Sequence, residues 1–230
     1  MIDVPIRPHT LLDSMARART VPVLIMSAFA PELAPLADWL RSPGRGRLAT
    51  RIACVPVGIG AIDAAAGAAA AIARWQPVVT LFVGTAGSYR STLPIGSAAV
   101  ARRVCLASGE VLRGQAYLPR PLRTRISTDS SLQRQLLRAG PAHLADVATT
   151  LGITRTRSLG TRIAEGTDST VENLEVFAVA RAAERARVGF GAVLGIANRV
   201  GPAAHQQWLA HQDEATVAAC DVIQSWLASR

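Results

Sequence analysis

The chain has 230 residues, half of them apolar, and a formal charge of +9 from 25 cations, every one an arginine. That length and apolar content suit one α/β domain with a large core and exclude a collagen-like or low-complexity chain. Alanine and arginine enrichment without lysine reads as a coding bias. With the arginines dispersed and aromatics at 4%, the charge reads as a solvated surface and no nucleic-acid partner is expected.

Cys54, Cys105 and Cys220 are widely spaced and form no C-x-x-C pair, which suits free thiols in a reducing cytoplasm. His9, His143, His205 and His211 show no i, i+4 pairing, so no metal is expected. The longest small-apolar run, Ala64 to Ala73, is too short for a bilayer, and the start lacks an apolar signal-peptide core. A cytoplasmic protein with no membrane partner is expected.

Residues 1–20, with Pro5, Pro8, Arg17 and Arg19, read as a flexible arm ahead of a domain spanning 21–230. Val21 to Ser27 has the β-branched, apolar pattern of a buried first strand. Pro31 suits the first position of a helix running to Trp39, and Glu32 on position alone reads as a residue complementing that helix's dipole. Arg47 to Gly58 supplies one or two strands. Gly58-Ile59-Gly60 then opens an alanine-rich helix over 61–75, without the longer glycine pattern of a dinucleotide site. Val78 to Val83 is the clearest parallel-type strand, and it runs into Gly84-Thr85-Ala86-Gly87-Ser88, predicted as a loop whose backbone N–H groups can face a ligand. That loop lacks the G-K-[ST] of nucleotide-triphosphate binding.

A turn at Pro94-Ile95-Gly96 leads to a strand over Ser97 to Leu106. Helices are predicted over Leu132 to Leu137 and Ala142 to Ala148, and a strand over Thr154 to Ala164. After a polar loop, Val171-Glu172-Asn173-Leu174-Glu175 places an acidic pair ahead of a helix from Val176 to about Arg187, and a buried strand follows from Phe190 to Ala197. Residues 203–228 form a long helical pattern with Trp208, Leu209, Val217, Val222, Ile223, Trp226 and Leu227 on its apolar face. Trp208 there reads as packing. Glu175 and Asn198 are separated by one helix and one strand. In an α/β fold that spacing can bring a carboxylate at a helix start and an amide at a strand's C-terminal end to one crevice, where such sheets bind ligands.

In this order, Met26-Ser-Ala-Phe-Ala-Pro-Glu32, Val57-Gly-Ile-Gly-Ala61, Val83-Gly-Thr-Ala-Gly-Ser88, Leu93-Pro-Ile-Gly96, Val171-Glu-Asn-Leu-Glu175 and Gly195-Ile-Ala-Asn-Arg-Val-Gly201 resemble the purine nucleoside phosphorylase and nucleosidase superfamily. They look most like its nucleosidase branch, which includes futalosine hydrolase and methylthioadenosine/S-adenosylhomocysteine nucleosidase. The resemblance implies a three-layer sandwich with a mixed, mostly parallel sheet flanked by helices. It also implies a homodimer that takes a small purine nucleoside and needs no cofactor.

Carried over residue by residue, Glu32 matches the acid that activates the attacking water, Glu175 the carboxylate that holds the ribose hydroxyls, and Asn198 the residue that addresses the leaving base. Asn173, Leu174, Gly58, Thr85 and Ala86 are the further substrate contacts it implies. Cleavage of a ribosyl–purine bond passes through an oxocarbenium-like sugar. A carboxylate on the hydroxyls binds that sugar more tightly as positive charge develops, and a second carboxylate can take the proton of water. An Asn amide donates N–H without titrating, which suits a 6-oxopurine. Phosphorylases of the superfamily place arginines where this chain has Glu32 and Phe82, so hydrolysis is expected over phosphorolysis. A phosphate-dependent phosphorylase and a non-catalytic nucleoside-binding protein are the alternatives. The chain departs from the branch at Leu194, where an arginine is common nearby, at Ala197, where a serine is usual, and in a short loop before Glu172.

Overall fold

The computed structural model describes residues 21–90 and 92–230, so the expected N-terminal arm and His9 lie outside the described residues. The described elements are β1 (Val23–Ser27), a 3₁₀ turn (Ala30–Leu33), α1 (Ala34–Arg41), the single turn α2 (Gly46–Ala49), β2 (Ile52–Pro56) and α3 (Gly60–Trp75). Next come β3 (Val79–Ser88), β4 (Ala98–Leu106), the single turn α4 (Gly109–Leu112), β5 (Arg125–Ser127), α5 (Ser130–Ala139) and β6 (His143–Thr149). The chain ends with α6 (Arg157–Thr167), β7 (Val171–Glu172), α7 (Val176–Ala186), β8 (Gly189–Arg199) and α8 (Ala204–Ala228).

The strands form one mixed sheet in which β1 pairs in parallel with β2 and β3, and β3 in parallel with β8. β4 pairs in parallel with β6 and β6 with β7, whereas the β3–β7, β4–β5 and β4–β8 pairings are antiparallel. Pairing thus runs from β3 through β8, β4, β6 and β7 back to β3, so the middle of the sheet curls into a closed ring.

Strand alternation divides the core into two faces. Leu24, Met26 and Phe82 pack on one side with Ala64, Ala68 and Ile72 of α3 and Val176, Val179 and Ala183 of α7. Ile25, Leu81, Val83 and Val193 pack on the other with Leu36 of α1, Leu132 and Leu136 of α5, and Cys220, Ile223 and Trp226 of α8. The result is the expected three-layer α/β sandwich. α8 lies so close on β8 that a Cβ at Gly195 would sit 1.8 Å from the carbonyl oxygen of Ala215, a position only glycine can fill.

Several predicted elements change. Ala142 to Ala148 was expected to be helical from its alanine content, but it forms β6, wedged between β4 and β7 with Ala145 to Ala148 all buried. Small side chains suit a strand covered on both faces, and tertiary packing overrides the helical propensity of alanine. Thr154 to Ala164, expected as a strand, gives way to α6. Thr156 Oγ1 accepts the Leu159 N–H at its N-terminus, and Gly160, Ile163, Ala164 and Thr167 are buried at helical spacing. The Thr/Arg alternation imitated a strand while the buried positions kept the helical period. Residues 84–88, expected as a loop, continue β3, paired with β8 to Ser88 across one register shift. The helix expected over Pro31 to Trp39 splits into the 3₁₀ turn and α1, and Arg47 to Gly58 yields one strand after a helical turn. On α8, Leu209 and Val217 face outward rather than into the core.

The three cysteines are free, as expected. Among the described residues, no helix is long and apolar enough to cross a membrane.

Candidate active site

The C-terminal ends of β1, β3, β7 and β8 and the N-termini of α3, α7 and α8 converge on a cavity of about 330 Å³. That size falls within the range of small-molecule sites, and its place outside the strand ends is where α/β sheets bind ligands. Glu32, Glu175 and Asn198 all line it.

Glu32 arrives from the 3₁₀ turn after β1, but its side chain turns inward instead of serving the helix dipole. Only 4% of the residue is exposed. Oε2 accepts the backbone N–H of Ala28 at 3.1 Å, and Oε1 accepts the backbone N–H of Thr85 at 3.0 Å and its hydroxyl at 3.3 Å. Burial pushes its carboxyl up from 4.5 to about 7, the Glu175 charge adds to the rise, and the bonds from Thr85 and Ala28 oppose it. Such a group keeps its proton until near-neutral pH and is then a competent base.

Glu175 stands at the start of α7, and its Oε1 accepts the backbone N–H of Gly60 at 2.8 Å. Gly60 opens α3 at φ +82°, a conformation that favours glycine, and so presents the first amide of that helix to the carboxylate. Burial raises the Glu175 carboxyl, with the Gly60 bond opposing.

The amide of Asn173 caps α7: Oδ1 accepts the N–H groups of Glu175 and Val176 at 2.9 and 2.8 Å. Its Nδ2 donates to the Thr85 carbonyl at 3.0 Å, tying the α7 start to β3. Asn173 therefore lines the cavity while its Oδ1 and one Nδ2–H fix the start of α7. Leu174, Thr85 and Ala86 line the cavity too. Gly58 is set apart from it, and its N–H is taken by the Ala28 carbonyl at 3.0 Å.

Asn198 owes its position to a bulge. The β3–β8 register passes from Ala86–Ile196 to Gly87–Asn198, leaving Ala197 as the extra residue. Bulges of this kind turn a side chain at a strand end. Asn198 Nδ2 donates to the Arg199 carbonyl at 3.1 Å, and as a primary amide it has a second N–H.

Other wall residues went unrecognised in the sequence. Glu172 is a third buried carboxylate, accepting Tyr89 Oη at 2.8 Å, Thr154 Oγ1 at 2.6 Å and the Thr154 N–H at 3.0 Å. These bonds anchor the segment that puts Ile153 on the cavity. Trp208, predicted as packing, instead lines the cavity in the second turn of α8, stacked on His205 with ring centroids 6.2 Å apart. Its Nε1 donates to Thr85 Oγ1 at 3.0 Å. A signal for it was available: His205 and Trp208 stand three residues apart in a helix that begins just beyond the strand end bearing Asn198. Phe29 and Ile59 complete the apolar lining. Among the described residues that line the cavity none is an arginine, and Phe82 is fully buried in the core, its ring beside Gly84 next to the Glu32 carboxylate. No group of three His, Cys, Asp or Glu side chains among the described residues is disposed to hold a metal.

A mixed sheet with a cavity at its strand ends, holding carboxylates and an amide, defines an α/β protein with a small-molecule site. The sequence matches the Phosphorylase superfamily over residues 22–228, and the chain belongs to that family. Its fold is that of a futalosine hydrolase mutant from Helicobacter pylori strain 26695, at 15% identity and TM-score 0.82, covering 92% of this chain and 100% of that one. The 5′-methylthioadenosine/S-adenosylhomocysteine nucleosidase of Neisseria meningitidis, solved with methylthio-immucillin-A, matches at 15% identity and TM-score 0.79 over 90% and 99% of the two chains. The corresponding enzyme from S. pneumoniae, with a transition-state inhibitor, matches at 18% identity and TM-score 0.78 over 89% and 97%. No curated protein matches the chain by sequence.

Proposed function

We propose that the protein hydrolyses the N-glycosidic bond of a purine nucleoside, in the manner of a futalosine hydrolase. The observation that carries this reading is a cavity walled by Glu32, Glu175 and Asn198 with no arginine among its described lining residues. A phosphate dianion calls for paired cations. Water needs only a base, and Glu32 supplies one.

In this reading Glu175 accepts hydrogen bonds from the ribose hydroxyls, which strengthen as positive charge develops on the sugar. Glu32 Oε2 takes one proton from a water that adds to C1′. The C1′–N bond breaks with its electron pair passing to the purine, which draws its proton from solvent. Asn198 donates an N–H to N7 of the departing base. An amide that cannot ionise favours a 6-oxopurine such as hypoxanthine, and Asn198→Asp moves preference toward 6-aminopurines. Leu174, Ile59, Phe29 and Ile153 surround the sugar and its 5′ substituent. Ile59 and Ile153 are 65% and 56% exposed, and this apolar rim supports a homodimer in which a second copy covers it.

The test is release of free purine from futalosine, inosine, guanosine, adenosine and methylthioadenosine, each with and without phosphate. Phosphate-independent release of hypoxanthine is expected. Release that requires phosphate, or ligand binding with no turnover of any of them, overturns the reading.

A further inference from the structure

We infer that Trp208 is a positioning residue for Glu32, acting through the Thr85 hydroxyl to leave one carboxylate oxygen open to the cavity. The inference rests on the reading of Glu32 as the base, and it assigns a task to a side chain on the opposite wall.

The argument is one of donors and lone pairs. An indole N–H can only donate. Trp208 Nε1 gives its proton to Thr85 Oγ1 at 3.0 Å, so the Thr85 hydroxyl proton must point elsewhere, and its acceptor is Glu32 Oε1 at 3.3 Å. The backbone N–H of Thr85 reaches the same oxygen at 3.0 Å. Oε1 then holds two donors, which fills its lone pairs. Oε2 holds only the Ala28 N–H at 3.1 Å and keeps one lone pair. The Trp208 bond thus sets the direction of the relay, and the proton of an attacking water is taken at Oε2.

Without the indole donor, the Thr85 hydroxyl is free to rotate and Oε1 loses an enforced partner. His205, stacked on Trp208 at an interplanar angle of 11°, holds the indole plane. The other titratable groups around Glu32 are Glu175, Glu172 and His205 on the cavity wall and Cys220 of α8, whose thiol donates to the Glu32 carbonyl at 3.5 Å. None of them bonds to the carboxylate through Thr85.

Trp208→Phe keeps the ring and removes the donor. In protein carrying ¹³Cδ-glutamate, the resonance lost in Glu32→Gln reports the titration of Glu32 without any substrate. Trp208→Phe is expected to raise that midpoint by roughly one pH unit. In turnover, the same variant is expected to lose about tenfold in kcat/KM below pH 6 and little above pH 8.5. Thr85→Val is expected to raise the midpoint as well, Thr85→Ser to restore it, and Trp208→Phe added to Thr85→Val to shift it no further. An unchanged midpoint in Trp208→Phe, or an additional shift in the double variant, overturns the inference. If the titrations behave as expected while no purine nucleoside is cleaved, the positioning role stands and the hydrolase reading fails.

Discussion

Buried carboxylates at two places in the molecule are held in opposite ways. On β6, Asp146 is paired with Arg102 and with Arg103 at 3.1 Å, and Arg103 also reaches Asp168 at 3.1 Å. In the cavity, Glu32 and Glu175 meet no guanidinium of the described residues. They are held by backbone N–H groups of Ala28, Thr85 and Gly60, and Glu32 also by one hydroxyl. A carboxylate bound to fixed cations has no reason to take up a proton and little freedom to act. Glu32, buried with no such cation, is made proton-avid by desolvation, while its amide partners oppose that rise and fix its orientation. Glu32 is buried without a cation and its carboxyl is raised to about 7, the state that the proposed role as a base requires.

The largest expected effect comes from removing the base. Glu32→Gln is expected to lower kcat by about a thousandfold while nucleoside binding, measured by calorimetry, persists. Glu175→Ala should weaken both kcat and KM, with a loss of kcat/KM on the order of 100-fold. Equal loss in both variants with no binding in either would erase the distinction between their roles.

The pH dependence follows from Glu32. Its carboxyl is raised to about 7 and acts unprotonated in the proposed mechanism, so kcat/KM should rise with pH through about 7 and fall about tenfold per unit below it. Stability runs the other way. The folded protein binds this proton more tightly than the unfolded chain does, so the Glu32 contribution is lost as pH climbs from 4.5 to about 7, roughly 3 kcal/mol across the window. An acid limb in the pH–rate profile near 4.5 would show Glu32 to be ordinary.

On the other side of the comparison, Arg103→Ala should destabilise the fold by about 1.5 kcal/mol, because Asp146 loses one of its two cations while Arg102 stays. It should leave the midpoint of the pH–rate profile in place. The smallest effect is expected at Tyr89→Phe. It removes one of three donors to Glu172, costing about 1 kcal/mol in stability and raising KM modestly through the Ile153 segment.

The sheet's outline was legible wherever apolar runs were long and bounded by glycine or proline, as in β1, β3 and β8, and α8 was legible from its period. Elsewhere alanine blurred the reading. Alanine fits a helix by propensity and a doubly covered strand by size, so β6 could be recognised only from its neighbours. The meeting of Glu175 and Asn198 could be anticipated because each stands at a strand or helix end, whereas Glu32 was joined to them only through the resemblance to the superfamily. What Asn173 and Glu172 do could not be anticipated. Both lie in one short run with Glu175, and only the fold reveals that one caps α7 and the other anchors the 150–154 segment. The β8 bulge that turns Asn198 leaves no mark in Gly195-Ile-Ala-Asn198 beyond small residues. Trp208 was misread because an aromatic on a helix is usually buried in a core, whereas the α8 start faces a cavity.

The most direct measurement is cleavage of a 6-oxopurine nucleoside in phosphate-free H₂¹⁸O by the wild-type protein and by Glu32→Gln. The expected result is free purine and a sugar bearing one ¹⁸O at C1 from the wild type, with at most a trace from the variant. A sugar without the label, release that requires phosphate, or equal turnover by Glu32→Gln would contradict the assignment of Glu32 as the base for water.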